Sequence, residues 1–150
     1  MVNWRLISKI IGSLLFIEAI FMAICLVMAF AYGENDMLAL IIATLTTFGG
    51  AFIFRSLGQS AHNALSRRDA YVVVTLTWVV FSFFGMFPFI IHGSVPSVTD
   101  AYFETMSGFT TTGVTVIDDV ERLPHGLLFW RSLMQWIGGL GIVFFTVALL

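Results

Sequence analysis

The segment Thr110-Thr111-Thr112-Gly113-Val114-Thr115 is where this chain could do chemistry. Threonines and a valine around a single glycine are poor helix material at every position, so an extended backbone is expected here. Successive carbonyls of an extended strand point to opposite sides. Turning them to one side requires residues with positive φ, for which Gly113 is the suited type. A one-sided row of carbonyl oxygens, with hydroxyls at Thr110, Thr111 and Thr112 beside it, can replace the water shell of an alkali cation. Its weak charge also lets the ion leave. The candidate cation ligands are thus Thr110, Thr111, Thr112, Gly113 and Val114, with the ion expected at Thr111 and Thr112. Taken alone, a Thr-Thr-Thr-Gly tetrapeptide reads more naturally as a polar turn, and its setting decides between the two.

That setting is a membrane. Of the 150 residues 59% are hydrophobic and 11% charged, far from the quarter charged of an ordinary soluble domain. Net charge is −2, and nothing suggests nucleic-acid binding. Four stretches approach the roughly 20 apolar residues that a spanning helix needs. They are Ile10 to Gly33 (M0a), Met37 to Phe54 (M0b), Ala70 to Ile91 (M1) and Ser132 to Leu150 (M2, its helix starting near residue 125). Arg5 and Lys9 before M0a, with Ala29-Phe30-Ala31 after it, also resemble a secretory signal. The apolar region is long for one and contains Glu18, so an uncleaved helix is the expectation. Arg5, Lys9, Arg55, Arg67 and Arg68 fall on one side of these spans, which places that side and the N-terminus in the cytoplasm.

Between M1 and M2, the stretch from His92 to Arg131 is too long and too apolar for a plain loop. Pro88 and Pro96 with Gly93 are expected to end M1. Ser97 followed by Asp100 is an N-terminal helix signal close to a capping box, predicting a helix over 98–109. Twelve residues give about 18 Å, short of a hydrocarbon core of about 30 Å, so this helix must dip in and the chain return through 110–114. Its C-terminal carbonyls aim partial negative charge at the membrane interior just before Thr110, which favours a cation there. Non-helical backbone at membrane depth is tolerated only where it is buried in protein or lines a watery cavity. The segment should therefore line a pore or a binding site.

Other residues carry weaker expectations. Glu104 in the short helix is expected to support the segment by accepting hydrogen bonds, with Arg131 as its partner or snorkelling to the headgroups. Asp118, Asp119 and Glu121 would concentrate cations at an outer mouth, or form a solvated acidic loop. Glu18 should pair with a neighbouring helix or with a part of the protein beyond these residues. Gly138, Gly139 and Gly141 permit close helix packing. Cys25 is a small packing residue, and His62, His92 and His125 lie at helix ends or in loops. No nucleophile beside a base, phosphate-cradling loop or metal-ligand cluster supports an enzymatic role.

The run Asp100-Ala101-Tyr102-Phe103-Glu104-Thr105-Met106-Ser107-Gly108-Phe109-Thr110-Thr111-Thr112-Gly113-Val114-Thr115, with Phe129-Trp130-Arg131-Ser132 and Gln135-Trp136-Ile137-Gly138-Gly139-Leu140-Gly141, resembles the Trk/Ktr/HKT superfamily of potassium transporters. It is most similar to the N-terminal part of the membrane subunit of the bacterial Trk branch. The resemblance runs from about Arg67 to Leu150, and M0a and M0b match that branch's two leading helices. It implies an all-α membrane protein in which residues 1–66 form two leading transmembrane helices and 67–150 the first of four M1–pore helix–M2 repeats around a pore. It also implies potassium as the transported ion, no cofactor, and a multi-pass place in the cell inner membrane. The implied partners are the lipid bilayer, the remaining repeats, a cytoplasmic nucleotide-binding regulatory subunit (TrkA-like) and a second copy in a homodimer. M2 stops at Val147-Ala148-Leu149-Leu150 without a polar flank, so a continuation of the chain is expected. Two other classes stay open at this point. One is a secondary transporter with a re-entrant, substrate-binding helix; the other is a membrane scaffold in which 110–115 is only a turn.

Overall fold

The computed structural model describes residues 2–59 and 66–149, and of Arg67 and residues 144–149 the backbone only. His62 lies outside the described residues. Those described form helices and turns: α1 Trp4–Tyr32, α2 Met37–Leu57, α3 Arg67–Gly85, α4 Phe87–His92, α5 Val98–Phe109 and α6 His125–Leu149, with a 3-10 turn at Val120–Arg122. Among the described residues, three segments are long and apolar enough to cross a membrane: α1, α2, and α3 with α4 as Arg68–His92. Helix α6 has 25 residues, about 38 Å at the helical rise.

Helix α1 shows why this sequence suits lipid. Ile7, Ile11, Leu15, Met22, Cys25 and Ala29 recur at helical spacing and are buried, with α2 as the main neighbour of the helix. Its other face carries Ile17, Ile20, Ile24, Val27 and Phe30, which are exposed and equally apolar. A helix apolar all round finds its low-energy environment inside a bilayer. The Cys25 thiol donates to the Phe21 carbonyl, 3.3 Å, and fills space in the hairpin.

Pro88 does not end M1. The helix breaks at Gly85–Met86 and resumes through His92, stopping at Gly93 with φ 83°. Proline in the first turn of α4 lacks an N–H that the first turn does not use, so a new helix starts there without loss. The break leaves carbonyls of α3 to other partners: Thr105 Oγ1 donates to the Ser82 carbonyl at 2.9 Å, and Trp130 Nε1 to the Gly85 carbonyl at 3.0 Å. These bonds fasten α5 and α6 to M1 at mid-height.

At one end of the bundle the Asn3 N–H donates to Asp69, 3.0 Å, and Ser66 and Asp69 form a capping box on α3. Arg55 Nη1 donates to Ser13 Oγ, 2.8 Å. At the other end, the turn between α1 and α2 supplies the missing caps of α6. Asp36 Oδ2 accepts from the Leu127 N–H at 3.1 Å, and Glu34 Oε2 from the His125 N–H at 2.6 Å. Carboxylates at a helix N-terminus also complement its dipole. The His125 ring lies 3.0 Å from Glu34 Oε1 and stacks on Tyr32, centroids 3.8 Å apart, while Asn35 reaches His92 at 3.1 Å.

The His125 backbone N–H, and then its ring, hold the Glu34 carboxyl below the ordinary carboxylate range. A depressed carboxyl contributes stability above its unfolded value of about 4.3 and loses it as pH falls through the folded one. Acidification below about pH 4 should therefore loosen this clamp. The expected result is a protection factor at the His125 amide that falls in acid, after correction for the intrinsic exchange rate, a dependence that Glu34→Gln removes. A profile shared by wild type and variant would contradict it.

Candidate functional site

Helix α5 enters between α3 and α6, started by Ser97 Oγ, which accepts from the Asp100 N–H at 3.4 Å. It buries Ala101, Glu104, Thr105, Ser107, Gly108 and Phe109. The Phe109 ring anchors its tip, edge-on to Phe81 at 5.4 Å and to Trp130 at 6.2 Å between centroids. The backbone of that tip presses on α6. A Cβ at Gly138 would overlap the Phe109 carbonyl oxygen and stand 2.7 Å from its carbon, and one at Gly139 would lie 3.8 Å from the Thr111 methyl.

From this tip the chain turns back against its own helix. The Thr110 N–H donates to the Met106 carbonyl at 2.9 Å and the Thr111 N–H to Gly108 at 3.0 Å. The Thr112 and Gly113 N–H groups donate to Ser107 at 3.0 and 3.4 Å. In a trans peptide each carbonyl points opposite to the N–H that follows it, and no described peptide bond is cis. With the Thr112 and Gly113 N–H groups facing α5, the Thr111 and Thr112 carbonyls face away from it, toward the open side where residues 111–116 are exposed. Two residues with positive φ make this course possible: Gly113 at 77° and Thr111 at 58°. For a β-branched threonine that conformation costs about 1–2 kcal/mol, and nothing in the local sequence announces it.

The remaining candidates lie around this row. Thr110 Oγ1 donates to the Met106 carbonyl, 2.7 Å, and lies 2.9 Å from Thr112 Oγ1. The Val114 carbonyl is directed the other way, accepting from Ser107 Oγ at 2.6 Å. Behind the return strand sits Glu104, 2% exposed. Its Oε2 accepts from Thr115 Oγ1 at 2.8 Å and the Val116 N–H at 3.0 Å, and its Oε1 from Arg131 Nε at 2.8 Å. Helices α5 and α6 and the return strand thus meet at one carboxylate. Ser107 is absent from the sequence-based candidates although it stands one turn after Glu104 on the same face, a spacing that would have found it.

Glu18 has no partner on a neighbouring helix among the described residues. It is fully enclosed at the height of Gly85 and Phe109, and neither carboxylate oxygen has a hydrogen-bond partner among the described residues. Asp119 binds Arg122 at 2.8 Å in an exposed pair of little energetic weight, and Asp118 and Glu121 are exposed beside it. Among the described residues no three of His, Cys, Asp and Glu cluster as metal ligands.

Comparison with known proteins identifies the family and the fold. The family described as "TrkH: Cation transport protein" matches residues 39–150. The Trk system potassium uptake protein TrkH of Halomonas elongata is 35% identical over 97% of this chain, and TrkG of Escherichia coli 34% identical over 97%. In each case the chain spans 30% of the relative's length. The crystal structure of the potassium transporter TrkH from Vibrio parahaemolyticus superposes with a TM-score of 0.89 at 33% identity, covering 98% of this chain and 32% of that one. An all-α membrane bundle with a half-length helix and a threonine-rich return strand, related in sequence and fold along nearly its whole length, belongs to the TrkH family of cation transport proteins.

Proposed function

We propose that this chain contributes one of the filter segments of a potassium uptake pore in the cell membrane. The observation that carries the reading is the pair of Thr111 and Thr112 carbonyls directed to the open side by N–H bonds to Ser107. Relatives named as potassium uptake proteins point to the ion. Residues 67–150 act as the first M1–pore helix–M2 repeat and residues 1–66 as two leading helices, with the basic end and the N-terminus in the cytoplasm. One repeat supplies part of a ring of oxygens, and further repeats of the same chain supply the rest. Thr110 to Val114 form the filter segment, supported by Glu104 and Arg131. A nucleotide-binding regulatory subunit on the cytoplasmic side and a second copy of the protein complete the assembly.

The test is potassium-limited growth of a bacterium lacking its own uptake systems, expressing the complete protein or its Gly113→Asp variant. An aspartate at φ 77° is strained, and it places a carboxylate that holds the ion too firmly to release it. Rescue by the wild type alone is the expected result. Equal rescue by both sinks the filter assignment, and no rescue by a membrane-inserted wild type favours a secondary transporter.

A further inference from the structure

Ser107 stands one turn before the filter segment and is 5% exposed. It holds that segment at two places with opposite effects. Its backbone carbonyl takes the Thr112 and Gly113 N–H groups, which sends the Thr111 and Thr112 carbonyls to the open side. Its hydroxyl donates to the Val114 carbonyl at 2.6 Å, which draws that oxygen toward α5. An oxygen already engaged by a short O–H bond, with its dipole aimed at the helix, is not available to an ion on the other side.

We infer that Ser107 is a positioning residue that withdraws the Val114 carbonyl from the ion path, so that its hydroxyl sets how many oxygens the filter offers a cation. This rests on the reading of residues 110–114 as a filter. Serine in a helix has a second acceptor within reach, a backbone carbonyl one turn earlier. Rotation of one side chain therefore releases Val114 with α5 unmoved. Release adds one carbonyl to the row begun by Thr111 and Thr112 and strengthens cation binding.

The experiment is saturation of potassium uptake by the complete protein carrying Ser107→Ala or Ser107→Thr, in cells without other uptake systems. Ser107→Ala is expected to lower the apparent KM for potassium about fivefold, the factor that one hydrogen bond of ordinary net strength is worth. Ser107→Thr keeps the hydroxyl and should restore the wild-type KM. A purely structural role would change the amount of protein in the membrane or the maximal rate and leave KM alone. If the alanine variant fails to insert, Ser107→Cys, of similar size but a weak donor, is read by the same criterion. An unchanged or raised KM in a transporting variant overturns the inference while leaving the filter reading intact. A wild type without saturable potassium uptake overturns both.

Discussion

Gly138→Ala in the complete protein is expected to reduce potassium uptake more than tenfold while the protein still reaches the membrane. The added methyl would overlap the Phe109 carbonyl oxygen and stand 2.7 Å from its carbon. Both are backbone atoms, without the flexible end that lets a side chain give way. Overpacking of this kind typically costs about 1–3 kcal/mol through forced shifts of main chain. Here the main chain that must shift is the tip of α5, and Thr111 with its open-side carbonyl lies two residues beyond it. In the proposed filter, discrimination rests on oxygen positions, so a displacement of about 1 Å at the tip falls directly on ion binding. Gly49→Ala is the control, because a Cβ there meets nothing within 4 Å. It should transport as the wild type does. Rubidium uptake per inserted molecule separates the two variants, and equal rates would refute the close packing as a determinant of the filter.

The second large effect is expected at Glu104. Removing its carboxylate by Glu104→Ala strands the Arg131 guanidinium, which is only 17% exposed, together with the Thr115 hydroxyl and the Val116 N–H. Breaking a buried pair by deleting one partner costs about 3–5 kcal/mol, because the remaining charge stays buried. Glu104→Gln keeps an acceptor for the return strand and should cost less. Arg131→Met leaves the carboxylate with its two donors from residues 115 and 116. The double variant Glu104→Gln with Arg131→Met is therefore expected to be more stable than the sum of the single changes, with a coupling of about 1–3 kcal/mol. Thermal unfolding of the four purified proteins measures it. Additive losses would mean that the 2.8 Å contact holds nothing together.

Much of the architecture is local and was readable from residue order. Helix α5 covers Val98–Phe109, the range predicted from Ser97, Asp100 and the following threonines, because a cap and a run of β-branched residues act on their own backbone. The spans follow from apolar length, and α1 and α2 extend beyond the apolar stretches into Trp4 and Leu57 because helix propensity continues where hydropathy has ended. A positive φ at Gly113 follows from residue type, whereas the same sign at Thr111 does not.

Contacts between distant segments were decided by the tertiary structure. Periodicity places Glu104 and Arg131 on faces of their helices, but the 2.8 Å distance between them depends on how α5 lies against α6. The turn carrying Glu34 and Asp36 becomes the N-terminal cap of α6, 91 residues further along the chain. Glu18 reads as a group seeking a partner and is enclosed without one among the described residues. The direction of the Val114 carbonyl depends on a hydroxyl seven residues earlier, across a reversal of the chain. Composition, capping and hydropathy act within a turn or two of the residue that carries them, and they determined the membrane helices and the half-length helix. Hydrogen-bond partners and carbonyl directions depend on which surfaces meet after the chain has folded back, and no short-range signal encodes that.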